Sequence, residues 1–255
     1  MVFYFTATGN SLYVAKQLDA QPISIPQVIH RESLIFQDET IGIVCPVFGH
    51  EVPIMVQEFL KNARFKTDYF YMILTYGKRH GGAAELAQDR LRSCGITPAY
   101  INTFLMVDNF LPVFDMKEEI LLDKNVEGQL AAIKKDIAQR RHFISPVTDE
   151  DRATHQEFLS RSNTPPEERW RSIYQVTSAC VGCGICQKVC PSGCWKVSGG
   201  TAQYHPEGCQ SCMACIHACP QKAIQMTIPE KNPNARYRNE HISLQEIIQA
   251  NLQKA

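Results

Sequence analysis

Eight of the eleven cysteines lie in the last third of the chain and repeat one spacing. Cys180, Cys183, Cys186 and Cys190 read C-x2-C-x2-C-x3-C-P, and Cys209, Cys212, Cys215 and Cys219 read it again, with Pro191 and Pro220 closing the runs. Thiols this dense are ligands or bridges far more often than packing residues. The opening Met1-Val2-Phe3-Tyr4-Phe5 has neither the basic region nor the small-residue cleavage site of a secretory leader. The expectation is therefore a reducing cytoplasm, where such cysteines bind metal. A stretch wound into two tight ligand loops has little room for long helices or strands. It must be a small unit of its own, over about 174–228, and the rest of the chain needs a separate core.

The double run resembles that of bacterial-type two-cluster ferredoxins, which bind [4Fe-4S] cubanes. In that family three cysteines of a run hold one cluster, and the fourth reaches across to the other. The resemblance implies Cys180, Cys183, Cys186 and Cys219 for one cluster, and Cys209, Cys212, Cys215 and Cys190 for the second. Gly182 and Gly184 suit a loop whose amides turn toward cluster sulfurs. A zinc module is the competing reading, since C-x2-C pairs also bind zinc. Zinc has no use for the third cysteine at the same spacing, or for a Cys-Pro in both repeats. Cys194 stands where the second repeat has Ala223, and reads as a small core residue. Cys45 and Cys94 read as structural. His205 and His217 lie near the runs, but the ligand set is complete without them. Lys188, Lys196 and Lys222 against Glu207 give this stretch about +2 before its thiols ionise. Two oxidised clusters with eight thiolates would bring it to about −2.

Upstream, continuous apolar runs alternate with helical periodicity. Strands are expected at Val2–Phe5, Ile41–Val44, Tyr69–Thr75 and Ala99–Phe104, with a weak edge strand at Pro22–Ile25. Helices are expected from Leu12, over Pro53–Ala63, Ala83–Cys94 and Val126–Gln139. This predicts α/β architecture, a doubly wound parallel sheet covered on both faces. The domain limits expected are 1–144 for this unit, 145–173 for a linker with a helical turn at His155–Arg161, and 174–228 for the small α+β cluster unit. A tail over 229–255 follows, in which Ser243-Leu244-Gln245-Glu246 is a capping box. The short helix it opens is expected to dock on one of the two domains. The stretch Leu105–Lys124 is too long for a plain βα connection and reads as an insertion.

Between the first strand and the first helix runs Thr6-Ala7-Thr8-Gly9-Asn10-Ser11. Its backbone amides and three hydroxyls at a helix N-terminus make a cradle for one phosphate. The motif, in this position, resembles the phosphate loop of the flavodoxin family. That resemblance implies a flavodoxin-like sheet of order 2-1-3-4-5 with FMN at the carboxyl ends of its strands. Two further loops should flank the flavin ring: Pro46, Val47, Phe48 and Gly49 in one, and Tyr76, Gly77, Lys78, Gly81 and Gly82 in the other. Phe48 and Tyr76 are the candidate ring contacts. The second loop is basic, through Lys78 and Arg79, where flavodoxins are typically acidic. Taken whole, the order of parts resembles flavodoxin–ferredoxin fusion oxidoreductases. In that family a segment like Met106-Val107-Asp108-Asn109-Phe110 follows the last strand.

The function expected is electron transfer between FMN and two [4Fe-4S] clusters, and on to redox protein partners. Two alternatives stand beside it. One is a flavin-dependent reductase of a small molecule, with His50, Tyr76 or His80 as proton donor. The other is a redox sensor or binding module without turnover. A formal net charge of zero indicates no general attraction to nucleic acid or membrane. No apolar run is long enough to span a bilayer. A homodimer is left open.

Overall fold

The computed structural model describes residues 1–164, 169 and 171–252. Strands β1 (Val2–Tyr4), β2 (Ile23–Ser24), β3 (Ile35–Gln37), β4 (Thr40–Pro46), β5 (Arg64–Lys66), β6 (Tyr69–Tyr76), β7 (Tyr100–Leu105) and β8 (Phe143–Ile144) make up its first part. Helices α1 (Asn10–Leu18), α2 (Ile25–Val28), α3 (Ile54–Asn62), α4 (Ala83–Ser93), α5 (Met116–Glu119) and α6 (Val126–Ala138) alternate with them. Helix α7 (Asp149–Ser160) leads to a smaller part of short elements. These are β9 (Tyr174–Val176), α8 (Ile185–Val189), β10 (Trp195–Ser198), β11 (Thr201–Tyr204), α9 (Ala214–Ala218) and β12 (Ile224–Met226). Helix α10 (Leu244–Asn251) comes last.

The large sheet is parallel throughout, in the order β2-β1-β4-β6-β7-β8. Its central strands are buried because they are apolar along their whole length rather than alternately, as a sheet covered on both faces requires. Gly42 is needed here. The ring of Tyr71 on the neighbouring strand lies over it, and a Cβ would stand 2.1 Å from that ring. The expected five-strand order does not describe this arrangement in full. A sixth strand, β8, is added at the edge, and β3 pairs with β5 in a separate parallel ladder. Those strands have two or three residues each, too few to show a period.

The second part is two antiparallel pairs, β10–β11 and β9–β12, around α8 and α9. Trp195 is 1% exposed and packs on Tyr204 at 4.7 Å between ring centres.

Two expectations need correcting. The helical turn expected at His155–Arg161 is part of a longer helix. Residues 149–160 form three turns of helix, opened by a capping box between Thr148 and Asp151. The remainder of that stretch includes Pro165, Pro166 and Trp170, which lie outside the described residues, as do 253–255 of the tail. Secondly, α10 does not dock on one part alone. Lys16 on α1 pairs with Glu246 at 2.5 Å, and Ser24 and Gln27 donate to the carbonyls of Ala250 and Gln249. Its last residue, Asn251, donates to the Val189 carbonyl at the end of α8. The insertion holds the tail as well: Asn232 donates to the Asp115 carboxylate, and the Lys231 amide to the Leu111 carbonyl.

Candidate metal and cofactor centres

Cys180, Cys183, Cys186 and Cys219 line one pocket, together with Gly182, Gly184 and Pro220. Three come from the first run and one from the end of the second. Of these four Cys186 alone is buried, and the other set is more enclosed. Cys209, Cys212 and Cys215 are buried, and Cys190 is half-buried, whereas Cys183 is exposed. Backbone amides already point at the sulfurs. The Cys194 amide donates to Cys190 Sγ at 3.2 Å, and the Ala223 amide to Cys219 Sγ at 3.2 Å. These donors occupy equivalent places in the two repeats. The Ala202 amide reaches Cys180 Sγ, and the Ser211 amide reaches Cys209 Sγ, both at 3.4 Å.

The loops repeat as well. Gly182 and Gly184 have left-handed backbones (φ 64° and 74°), and a Cβ on Gly182 would stand 2.5 Å from the Gly200 carbonyl oxygen. In the second run the same places fall to Ser211 and Met213, also left-handed at φ 53° and 63°. Non-glycine residues are uncommon there. The two glycines were legible in the sequence, and their counterparts were not. Cys194 is buried, and its thiol donates to the Glu207 carbonyl. Three buried hydroxyls, of Tyr174, Ser192 and Ser211, have no hydrogen-bond partner among the described residues. Buried donors are seldom left unmade. Tyr174 lies within electrostatic reach of Cys215, Cys209 and Cys212, and Ser211 and Ser192 follow Cys209 and Cys190 by two residues. A sulfur-rich cluster between these side chains gives such donors acceptors, so the residues present fit the group.

Residues 179–223 match the family model of the 4Fe-4S dicluster domain. Over 105 residues the chain is 36% identical to NADH-quinone oxidoreductase subunit I 2 of Geobacter metallireducens, covering 75% of that protein and 36% of this one. This chain belongs to the 4Fe-4S ferredoxin-type proteins. The ferredoxin-type part is also 33% identical over 64 residues to an uncharacterized ferredoxin of Methanocaldococcus jannaschii, with 83% of that protein and 24% of this chain covered. A third relative is a subunit of the ion-translocating oxidoreductase complex of Methanosarcina acetivorans. It is 45% identical over 47 residues, 18% of each chain. The chain thus spans under a fifth of that relative's length.

The Thr6–Ser11 loop runs from the end of β1 into α1, with Gly9 left-handed at φ 104° as the helix cap. Thr6, Thr8 and Ser11 are buried. Thr6 Oγ1 accepts from the Gly9 amide, Thr8 Oγ1 accepts from Asn109, and Ser11 bonds Thr75 on β6. Asn10 donates to the Val107 carbonyl and accepts from Tyr237 and Asn239. The insertion and the tail therefore both close on this loop. Sequence reasoning assigned no role to Asn109, Tyr237 or Asn239.

Accepting leaves the Thr6 and Thr8 hydroxyl protons available, and the first amides of a helix have no partner within it. That donor set fits a phosphate. The two flanking loops are brought to the same end of the sheet. Phe48 packs edge-on to Phe5 at 6.2 Å, and Tyr76 edge-on to His80 at 5.1 Å. Val47 hydrogen-bonds Thr75 through its backbone amide, and Pro46 closes β4. Gly77 lets Asp108 of the insertion approach, since a Cβ there would fall 2.2 Å from the Asp108 Cβ. Burial raises the Asp108 carboxyl, with Glu119 adding to the effect.

Helix α7 covers this second site from outside. A Cβ on Gly49 would meet the Phe158 ring at 2.9 Å, and Val147, just before the helix, lies 3.2 Å from a Cβ on Gly82. Gly81 fits under His50, whose Nδ1 stands 3.3 Å from His155 Nδ1. Burial, together with the charges of His155, His80, Arg79 and Arg161, lowers His50 to about 4.

Proposed function

We propose that this chain is an electron-transfer flavoprotein in which FMN and two [4Fe-4S] clusters share one polypeptide. The electron-transfer part is common ground with the ferredoxin-type proteins. The flavin part, the flavodoxin-like character of the sheet and the ligand assignment are the reading offered here. When bound, the clusters supply one-electron steps, and the flavin links these to two-electron chemistry.

One observation carries the reading furthest. Cys180, Cys183, Cys186 and Cys219 line a single cavity, and the first three belong to a different run from the last. That is the crossover two neighbouring cubane sites require. The second set would be Cys190, Cys209, Cys212 and Cys215. The chain's own groups then do three things. Amides of Cys194, Ala223, Ala202 and Ser211 donate to cysteine sulfurs, which stabilises the more negative state. Buried side chains such as Trp195 and Ile216 exclude water from the cysteine loops. Thr6, Thr8 and the first turn of α1 present donors to a phosphate, and the loops after β4 and β6 supply walls for a ring. Partners are redox proteins, on the pattern of relatives named as subunits of oxidoreductase complexes.

Anaerobic purification with iron, sulfide and flavin quantification tests this, with EPR of the reduced protein. About eight irons and one FMN per chain are expected. Zinc in place of iron would overturn the cluster assignment, and FAD or no flavin would overturn the flavin assignment.

A further inference from the structure

Two bridges, the first of them fully buried, join the cysteine runs to the Thr6–Ser11 loop, one beside Cys190 of the second set and the other between Cys215 of that set and Cys219 of the first. Asn251 is 0% exposed, and its side-chain amide donates to two carbonyls at once: Thr6 in the loop at 3.2 Å, and Val189 beside Cys190 at 3.0 Å. Its Oδ1 has no hydrogen-bond partner among the described residues. Turning the amide over would place that oxygen against both carbonyls, so the two donor bonds set its orientation. The second bridge starts on α9 between Cys215 and Cys219. His217 Nδ1 accepts from the Tyr237 amide, which leaves the proton on Nε2 to donate to the Asn109 carbonyl at 2.9 Å. The Asn109 side chain in turn donates to Thr8 Oγ1 at 2.6 Å. A third contact lies nearby: Gln210, beside Cys209, accepts from the Met55 amide at the start of α3. The first set has an exposed Cys183 and an exposed neighbour, Val181.

We infer that Asn251 and the His217–Asn109 pair are positioning residues that clamp the Cys190, Cys209, Cys212 and Cys215 set to the phosphate loop, making it the inner centre. The set of Cys180, Cys183, Cys186 and Cys219 is the outer one, facing solvent. This ordering rests on the cluster reading above, but it does not need the flavin. The state of the inner centre and the rigidity of the loop are coupled through the two bridges.

Amide hydrogen exchange of the full chain, purified anaerobically with its clusters, reads that coupling directly. Cys212→Ser removes an inner ligand, and Cys183→Ser an outer one. Exchange at residues 6–11 should rise about tenfold in Cys212→Ser, as for one lost buried hydrogen bond, and stay unchanged in Cys183→Ser. Asn109→Ala keeps the backbone carbonyl that His217 uses but removes the tie to Thr8. It should raise exchange at 6–11 while the iron content holds. Asn251→Asp, which loses both donors, should do the same, and Asn109→Ala covers the case in which Asn251→Asp fails to fold. Equal exchange in the two cysteine variants, or a larger rise in Cys183→Ser, would overturn the ordering. Unchanged exchange in Asn109→Ala would remove that bridge. An iron count far from eight in the unaltered chain would instead strike the cluster reading itself.

Discussion

At the residue scale, His50 concentrates several constraints. Its backbone is left-handed at φ 73°, and its ring is held between Gly81, His155 and Phe158. Groups from two elements face it: His155 and Arg161 from α7 and its end, and His80 and Arg79 from the loop after β6. Burial and these charges lower its pKa from 6.5 to about 4, and burial lowers His155 too. A histidine kept neutral by folding stabilises fully above its unfolded pKa. That contribution is lost as the pH falls from about 6.5 toward 4, because the unfolded state takes up the proton first. Urea unfolding should therefore show stability declining over this window. In His50→Asn, which tolerates the left-handed backbone, the decline should be shallower. An identical pH slope in the variant would refute the role given to His50. Single residues of this kind are the least legible in the sequence. The cysteines announced themselves by a repeated interval. Asn109, Asn239 and Asn251 are isolated polar residues, and only the fold reveals that each contacts the Thr6–Ser11 loop.

At the scale of elements, α7 and α10 open on side-chain caps. In α10 the Ser243 hydroxyl accepts from the Glu246 amide, while Glu246 accepts from the Ser243 amide and hydroxyl. Lys16 and these bonds hold the Glu246 carboxyl down at about 2. Ser243→Ala should cost about 1 kcal/mol, read from the urea midpoint with an unchanged slope. No shift in the midpoint would show that packing alone holds α10. This box was legible in advance. The same signature stands at Thr148-Asp149-Glu150-Asp151, where the expectation began only at His155. The polar composition hid a helix whose opening motif was present. The long apolar strands were equally readable, because burial on both faces leaves an unbroken run. Strands β3, β5 and β8 were not, since nothing local distinguishes so few residues from a turn, and the partners they pair with are distant in sequence.

At the scale of the whole molecule, the two parts share one buried seam, and the chain folds back on its own start. Among the described residues no helix is long and apolar enough to cross a membrane. Asn239 donates its backbone amide to the Thr8 carbonyl, and Asn239 and Ile242 press on Gly9 closely enough that a Cβ there would meet both at 3.0 Å. Residues near 240 thus sit over residues near 8. A ribosome makes these at opposite times, and the N-terminal part can fold while the remainder is still being translated. During that interval the Thr6–Ser11 loop stands uncovered, and it is covered only when the residues near 240 arrive. If that loop holds the phosphate of the flavin proposed above, binding of the flavin and covering of the loop become ordered events: first the guest, then the door. A chain stopped after Arg238 should take up FMN faster than the longer chain and lose it faster, as read by quenching of flavin fluorescence. Equal rates for both chains would mean that the tail covers the loop without guarding it.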